Sequence, residues 1–135
     1  MSSLTIKIFD NLYEQLVATK KLSDNLILGF FSFFGPFFIN VLNLYNEENI
    51  KKLITPSGRY IMRVEEKEKG RHHNCFVKSN HCDCPSFAFN FIEFDKQIWC
   101  KHLIAAKIAL ATGQFSIKAI SDYEYSEVFQ HTFIK

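Results

Sequence analysis

Between Leu4 and Ala18 the apolar residues Ile8 or Phe9, Leu12 and Leu16 recur at helical spacing, with Asn11, Glu14 and Gln15 elsewhere. That period predicts an amphipathic helix. Ser23 and Asp24 are good capping residues and stand just ahead of Leu26, where a second helix is expected to begin. From Leu26 to Leu44 the chain is uncharged and dominated by Phe, Leu and Ile. A stretch of roughly 20 apolar residues can span a bilayer. Here Gly35-Pro36 interrupts it, and Asn40 and Asn43 add polar groups. Gly followed by Pro reads as the end of one helix and the first turn of the next. Two short helices, buried in the domain or against a partner, are expected, and no membrane span.

The period then changes. Lys51 to Thr55 is a short candidate strand, Pro56-Ser57-Gly58 supplies a turn, and Arg59 to Glu65 alternates. Tyr60, Met62 and Val64 fall on one face, with Arg59, Ile61 and Arg63 on the other. Glu66 to Gly70 reads as a charged turn, and His72 to Lys78 as a third strand with Cys75 and Val77 on one side. These make an antiparallel meander. Phe87 to Phe94 is apolar enough for a short helix, with Asp95-Lys96-Gln97 as its polar exit. Cys100 to Ala111 is a run of good helix formers ended by Gly113. Ser121 with Glu124 three positions on resembles a capping box for a last helix through Phe129.

The fold class expected is therefore α+β: N-terminal helices, a three-stranded antiparallel meander, a ligand-bearing turn and C-terminal helices. Residues 1–48 form a helical region, 49–112 the central module and 113–135 a helical extension. At 135 residues and 47% hydrophobic, the chain fits one domain with a real core. Fifteen phenylalanines against a single tryptophan raise the question of whether part of that surplus meets a partner. The formal charge of +2 gives no strong general pull towards nucleic acid. Met1 to Leu12 offers no basic leader with an apolar run and cleavage site, so the four cysteines are expected in a reducing compartment, as metal ligands rather than disulfides.

The candidate chemistry lies in Cys82-Asp83-Cys84 and, fifteen residues later, Cys100-Lys101-His102. Two chelating pairs offer three thiolates and one imidazole, a complete tetrahedral set for one structural Zn²⁺, with no position left for water. The second pair opens a helix, where unpaired N–H groups and the positive dipole end favour thiolate. Lys101 adds positive charge, and Phe87 and Trp99 are placed to screen the site from water. Scattered buried cysteines are the alternative, and the paired spacing argues against it. His81 adjoins Cys82, but neighbouring side chains diverge, so His102 is preferred as fourth ligand. Cys75 reads as a small packed strand residue. His72 and His73 have no chelating spacing and read as a solvated strand end, and His131 carries no signal.

Cys-x-Cys, a variable insert, then Cys-x-His opening an apolar helix resembles the SWIM-type zinc domains. The strings Cys82-Asp83-Cys84-Pro85-Ser86-Phe87-Ala88-Phe89 and Trp99-Cys100-Lys101-His102-Leu103-Ile104-Ala105 sharpen the likeness. With Thr55-Pro56-Ser57-Gly58-Arg59 leading into a strand and the short overall length, the chain is similar to the small SWIM-domain subunits of the Shu complex. The resemblance covers Leu53 to Leu110 most strongly. It implies a non-catalytic, nuclear role in homologous recombination, DNA damage repair and meiosis. Such subunits pair with a RecA-like ATPase paralogue, as an obligate heterodimer or larger assembly. The pair helps a recombinase filament assemble or persist on single-stranded DNA.

Two binding modes are distinguished. In an adaptor, Phe30, Phe31, Phe33, Phe34, Phe37 and Phe38 hold the partner, because six rings in nine positions cannot all point inward from one short helix. In a direct single-stranded-DNA binder, Arg59 and Arg63 share a strand face, with Lys51, Lys52, Arg71 and Lys78 nearby. A zinc hydrolase would need an open coordination position and a general base, and no such arrangement is found.

Overall fold

The computed structural model describes residues 3–46, 49–84 and 99–133. The helix expected over 87–94 and its exit at 95–97 lie outside the described residues. Three helices lead: α1 (Ser3–Thr19), α2 (Asp24–Phe34) and α3 (Phe37–Asn46). Strands β1 (Ile50–Ile54), β2 (Tyr60–Glu66), β3 (Arg71–Phe76) and β4 (His81–Cys82) follow. The chain then forms α4 (Lys101–Thr112), β5 (Ser116–Ala119) and α5 (Asp122–Phe133).

Local chemistry explains the boundaries. The Leu26 N–H donates to Ser23 Oγ at 3.3 Å, capping α2. Gly35 ends that helix at φ 72°, a conformation costly for any residue with a Cβ, and its N–H closes on the Phe31 carbonyl at 2.7 Å. Pro36 follows, so the uncharged stretch breaks into two helices as expected. Among the described residues no helix is long and apolar enough to cross a membrane. At α5 the Glu124 N–H donates to Ser121 Oγ at 3.0 Å, and Glu124 Oε1 reaches back to the Ser121 N–H, completing the capping box.

The sheet has the order β4-β3-β2-β1-β5. The meander is present, in the register Lys52↔Met62 and Met62↔Cys75, and continues into β4 through Cys75↔Cys82. The sheet is nevertheless larger than the sequence suggested. Ser116–Ala119 joins β1 in parallel inside the region read as purely helical. All four of its residues are exposed, so it pairs through backbone alone and carries no apolar alternation to betray it.

Both sheet faces are covered. On one, Ile50, Met62, Val64 and Cys75 pack with α1–α3 and α4 in the main core. On the other, Leu53, Ile61, Phe76 and Ile120 form a smaller cluster under Tyr125 and Val128 of α5. Ile61 is thus buried on the face that it shares with Arg59 and Arg63. Helix α4 is the hub: seven of its twelve residues are buried, the pattern of a helix enclosed on most sides. Tyr13 Oη of α1 donates to the Lys107 carbonyl at 2.9 Å, and Tyr45 Oη of α3 donates to Thr112 Oγ1 at 2.9 Å.

The Phe-rich segment divides. Phe30 and Phe38 are fully buried and stack 5.5 Å apart, with Phe34 6.0 Å from Phe38. Neither buried ring has surface to offer a partner, which corrects the expectation for these two. Packing α2 and α3 against α1 and α4 gives inward faces to two helices rather than one. Phe33, Phe34 and Phe37 are half-buried against the core, and Phe31 is 39% exposed.

Candidate metal centre

The antiparallel step from β3 to β4 sets Cys82 opposite Cys75, and the chain leaves the sheet through Asp83 and Cys84. Cys100 is the N-cap of α4, and its sulfur accepts the Leu103 N–H at 3.4 Å. His102 stands on the first turn. The ligand atoms of Cys82, Cys84, Cys100 and His102 all lie within 4.8 Å of one another, and all four residues are buried. Sequence separation is closed by packing: α4 lies on the sheet, so its N-terminus meets the exit of β4.

The donor chemistry fits a metal of the zinc type. His102 Nε2 is engaged by Glu66 Oε1 at 2.6 Å, while its Nδ1 is buried with no hydrogen-bond partner. An orphaned buried nitrogen beside three sulfurs is costly, and coordination removes that cost. Without an ion, hydrogen bonds from Cys100 and Cys82 hold the Cys84 thiol far below its ordinary range. Those same bonds leave the other two thiols as donors. A divalent ion would draw out the remaining protons. With four protein donors and tetrahedral preference, such a site is closed and structural in character.

Other residues settle as follows. Cys75 Sγ lies 3.7 Å from Cys82 Sγ, buried, the packed strand position expected. The His81 ring sits 4.4 Å from that of Phe133, turned from the metal ligands. Trp99 packs edge-on to Phe9 of α1 at 4.8 Å, with the Lys107 ammonium 4.3 Å over its ring. It thereby joins the ligand-bearing turn to the N-terminal helices; Phe87 lies outside the described residues.

His73 corrects the reading of a solvated strand end: His72 is exposed, but His73 is 8% exposed and stacks 4.0 Å from His102. Glu66 is likewise not part of a turn but the buried end of β2. Burial alone would raise its carboxyl, but the hydrogen bond with His102 and the charges of Lys101 and Lys69 outweigh that and bring its pKa to about 2. The His73 imidazole is shifted upward, chiefly by Asp83. Extending the two-residue alternation from Met62 and Val64 to Glu66, and from Cys75 back to His73, would have found both.

Arg59 and Arg63 take separate partners. The Arg59 guanidinium donates to Asp122 Oδ1 at 3.0 Å and lies 4.6 Å over the Tyr125 ring, tying β2 to α5. Arg63 Nε donates to Asn74 Oδ1 at 3.0 Å.

Residues 73–111 match the SWIM zinc finger, the stretch that contains all four candidate ligands. A Dictyostelium discoideum relative, "Zinc finger SWIM domain-containing protein 7 homolog", is 30% identical over 108 residues, covering 79% of this chain and 69% of that protein. The chain belongs to the zinc finger SWIM domain-containing protein 7 family. The Danio rerio protein of that name is 27% identical over 132 residues, covering 95% of this chain and 94% of the relative. The human one is 25% identical over 108 residues, 80% and 76%. The similarity to the Danio rerio protein thus takes in the N-terminal helices that pack on α4 as well as the SWIM finger.

Proposed function

We infer that the chain is a non-catalytic adaptor in homologous recombination, stabilised by one structural Zn²⁺. It pairs in the nucleus with a RecA-like ATPase paralogue, as in a Shu complex, and helps a recombinase filament form or persist on single-stranded DNA. The family resemblance supplies the process. The observation that carries the adaptor role is the closed donor set at the N-terminus of α4, buried and shared with the main core. Four protein ligands leave no coordination position for substrate, so the ion holds a scaffold together.

The surface such a scaffold offers is apolar. Leu28 and Phe31, one turn apart on α2, are 63% and 39% exposed, and Ile39 on α3 is 50% exposed. No charged residue lies between Asn25 and Asn46 to oppose an apolar partner. Native co-purification read by mass spectrometry tests the proposal. A RecA-like ATPase should accompany the chain and be lost from a Leu28→Ser/Ile39→Ser variant that keeps its zinc. Recovery of the wild-type chain alone, or retention of the ATPase by that variant, would overturn it.

Direct contact with single-stranded DNA is the second reading. A groove of about 240 Å³ lies between the strand ends and α5, lined by Arg59, Tyr60, Lys78, Tyr125 and Phe129 among others. Aromatic faces beside cations suit stacked bases and phosphates. Lys78→Ala should then weaken binding and flatten its salt dependence. Equal affinity at every salt concentration would end that reading.

A further inference from the structure

The two halves of the metal centre come from separate elements, the exit of β4 and the start of α4. A run of polar side chains joins them behind the ligands. His102 Nε2 is hydrogen-bonded to Glu66 Oε1 at 2.6 Å, and the same oxygen faces His73 Nε2 at 3.1 Å as a charge contact without hydrogen-bond geometry. His73 Nδ1 stands 3.6 Å from Oδ1 of Asp83, the residue between Cys82 and Cys84. Asp83 is held in turn: Oδ1 accepts the Asn74 backbone N–H at 3.0 Å, and Oδ2 accepts the Asn74 amide at 3.2 Å. Glu66 is fixed from its outer side, where Oε2 faces Lys69 at 3.4 Å and Arg71 at 4.0 Å. Oε1 is thereby left pointing inward between two imidazoles.

Such an arrangement is expensive. Glu66 and His73 are each 8% exposed, and burying a carboxylate and an imidazole is costly unless partners compensate. Val64, Met62 and Cys75 show that this sheet face accepts apolar residues freely. A carboxylate there is explained by what it touches.

We propose that Glu66, His73 and Asp83 form a positioning relay that sets the two chelating pairs against each other. Glu66 takes the Nε2–H of His102, fixing the tautomer that presents Nδ1 to the metal. Through His73, the same carboxylate is linked to the turn that aims Cys82 and Cys84. The relay rests on the zinc reading of the four ligands, and goes beyond it by assigning three residues that do not touch the ion.

The test uses the full chain loaded with Zn²⁺ and three variants: Glu66→Gln, Asp83→Asn and their combination. Glu66→Gln keeps shape and an acceptor oxygen while removing the charge; Asp83→Asn acts at the better-exposed end, where the change disturbs buried packing less. Zinc affinity is read by chelator competition, and the His102 ring by its ¹⁵N shifts and the exchange rate of its Nε2–H. Each single variant is expected to bind zinc about 10- to 100-fold more weakly. In Glu66→Gln the ring N–H should exchange faster. The double variant should lose less than the product of the two single losses, since both act through His73. Unchanged affinity and an unchanged ring signal in the single variants would refute the relay, as would losses that multiply in the double. Wild-type chain that binds no stoichiometric zinc would instead sink the metal reading on which the relay stands.

Discussion

Phe38→Ala and Phe31→Ala separate core from surface within the Phe-rich segment. Phe38 is fully buried, stacked on Phe30 at 5.5 Å with ring planes 19° apart and on Phe34 at 6.0 Å and 5°. Truncating a buried Phe costs about 3–5 kcal/mol in lost transfer energy and cavity. Stacked rings add to the packing lost, which places this site at about 4 kcal/mol or more. Set against a total stability of about 5–15 kcal/mol, that is a large share. Phe31, at 39% exposed, should cost within about 1 kcal/mol. Urea unfolding of the zinc-saturated chain, followed by Trp99 emission, measures both. Trp99 packs on Phe9, which lies 5.9 Å from Phe30 and 6.0 Å from Phe34, so the reporter touches the cluster it reports on. With a slope of about 2 kcal/mol per molar urea, Phe38→Ala should lower the midpoint by about 2 M and Phe31→Ala by at most about 0.5 M. Equal shifts would refute the division of the rings into core and surface. So would a Phe31→Ala shift larger than that of Phe38→Ala.

Cys84→Ser should release the metal and unmake the packing around α4, at a cost of several kcal/mol, with the Trp99 emission moving to the red; full zinc content with unchanged emission would show the ligand set to be misassigned. Arg59→Ala should change global stability by no more than about 1 kcal/mol, because Arg59 and Asp122 are both about half exposed. Hydrogen exchange at Leu53 and Ile61, beneath α5, should nevertheless quicken; unaltered exchange there would count against Arg59 as its anchor. Gly29→Val should destabilise by about 1–3 kcal/mol, since a Cβ at that position would meet Leu12 Cδ2 at 2.8 Å. Gly29→Ala should be close to neutral in the same urea titration, because the Leu12 tip can yield and alanine favours the helix by about 1 kcal/mol.

The cluster of four candidate ligands was legible because chelation imposes a spacing on the chain that no packing need imitates: Cys82 and Cys84, then Cys100 and His102. Helix boundaries were legible for a similar reason, since Ser23, Gly35 and Ser121 act within three or four residues of where they stand. What escaped depends on contacts between distant segments. β5 pairs with β1 across more than sixty residues, and its exposed side chains carry no pattern. Glu66 reads as one more charge in Glu65-Glu66-Lys67-Glu68-Lys69 until the register with β3 brings it beside His73 and α4 brings His102 to it. That Arg59, Ile61 and Arg63 lie on a helix-covered face was not legible, because only the tertiary fold lays α5 over that side of the sheet.

In the proposed adaptor, the placement of α4 makes metal binding and partner presentation one problem. Its first turn carries His102 and its N-cap is Cys100, and the same helix fastens α1 through Tyr13 and α3 through Tyr45. Loss of the ion would therefore free the N-terminus of the one helix on which the leading helices pack. Leu28, Phe31 and Ile39 would then lose their fixed spacing. The proposed adaptor has no need of an ion at its interface, because the ion would act by keeping α4 seated. Zinc chelation should accordingly abolish partner binding in parallel with the Trp99 change, at the same chelator concentration. Partner binding that survives after Trp99 has reported loss of the site would show the helical surface to be independent of the finger.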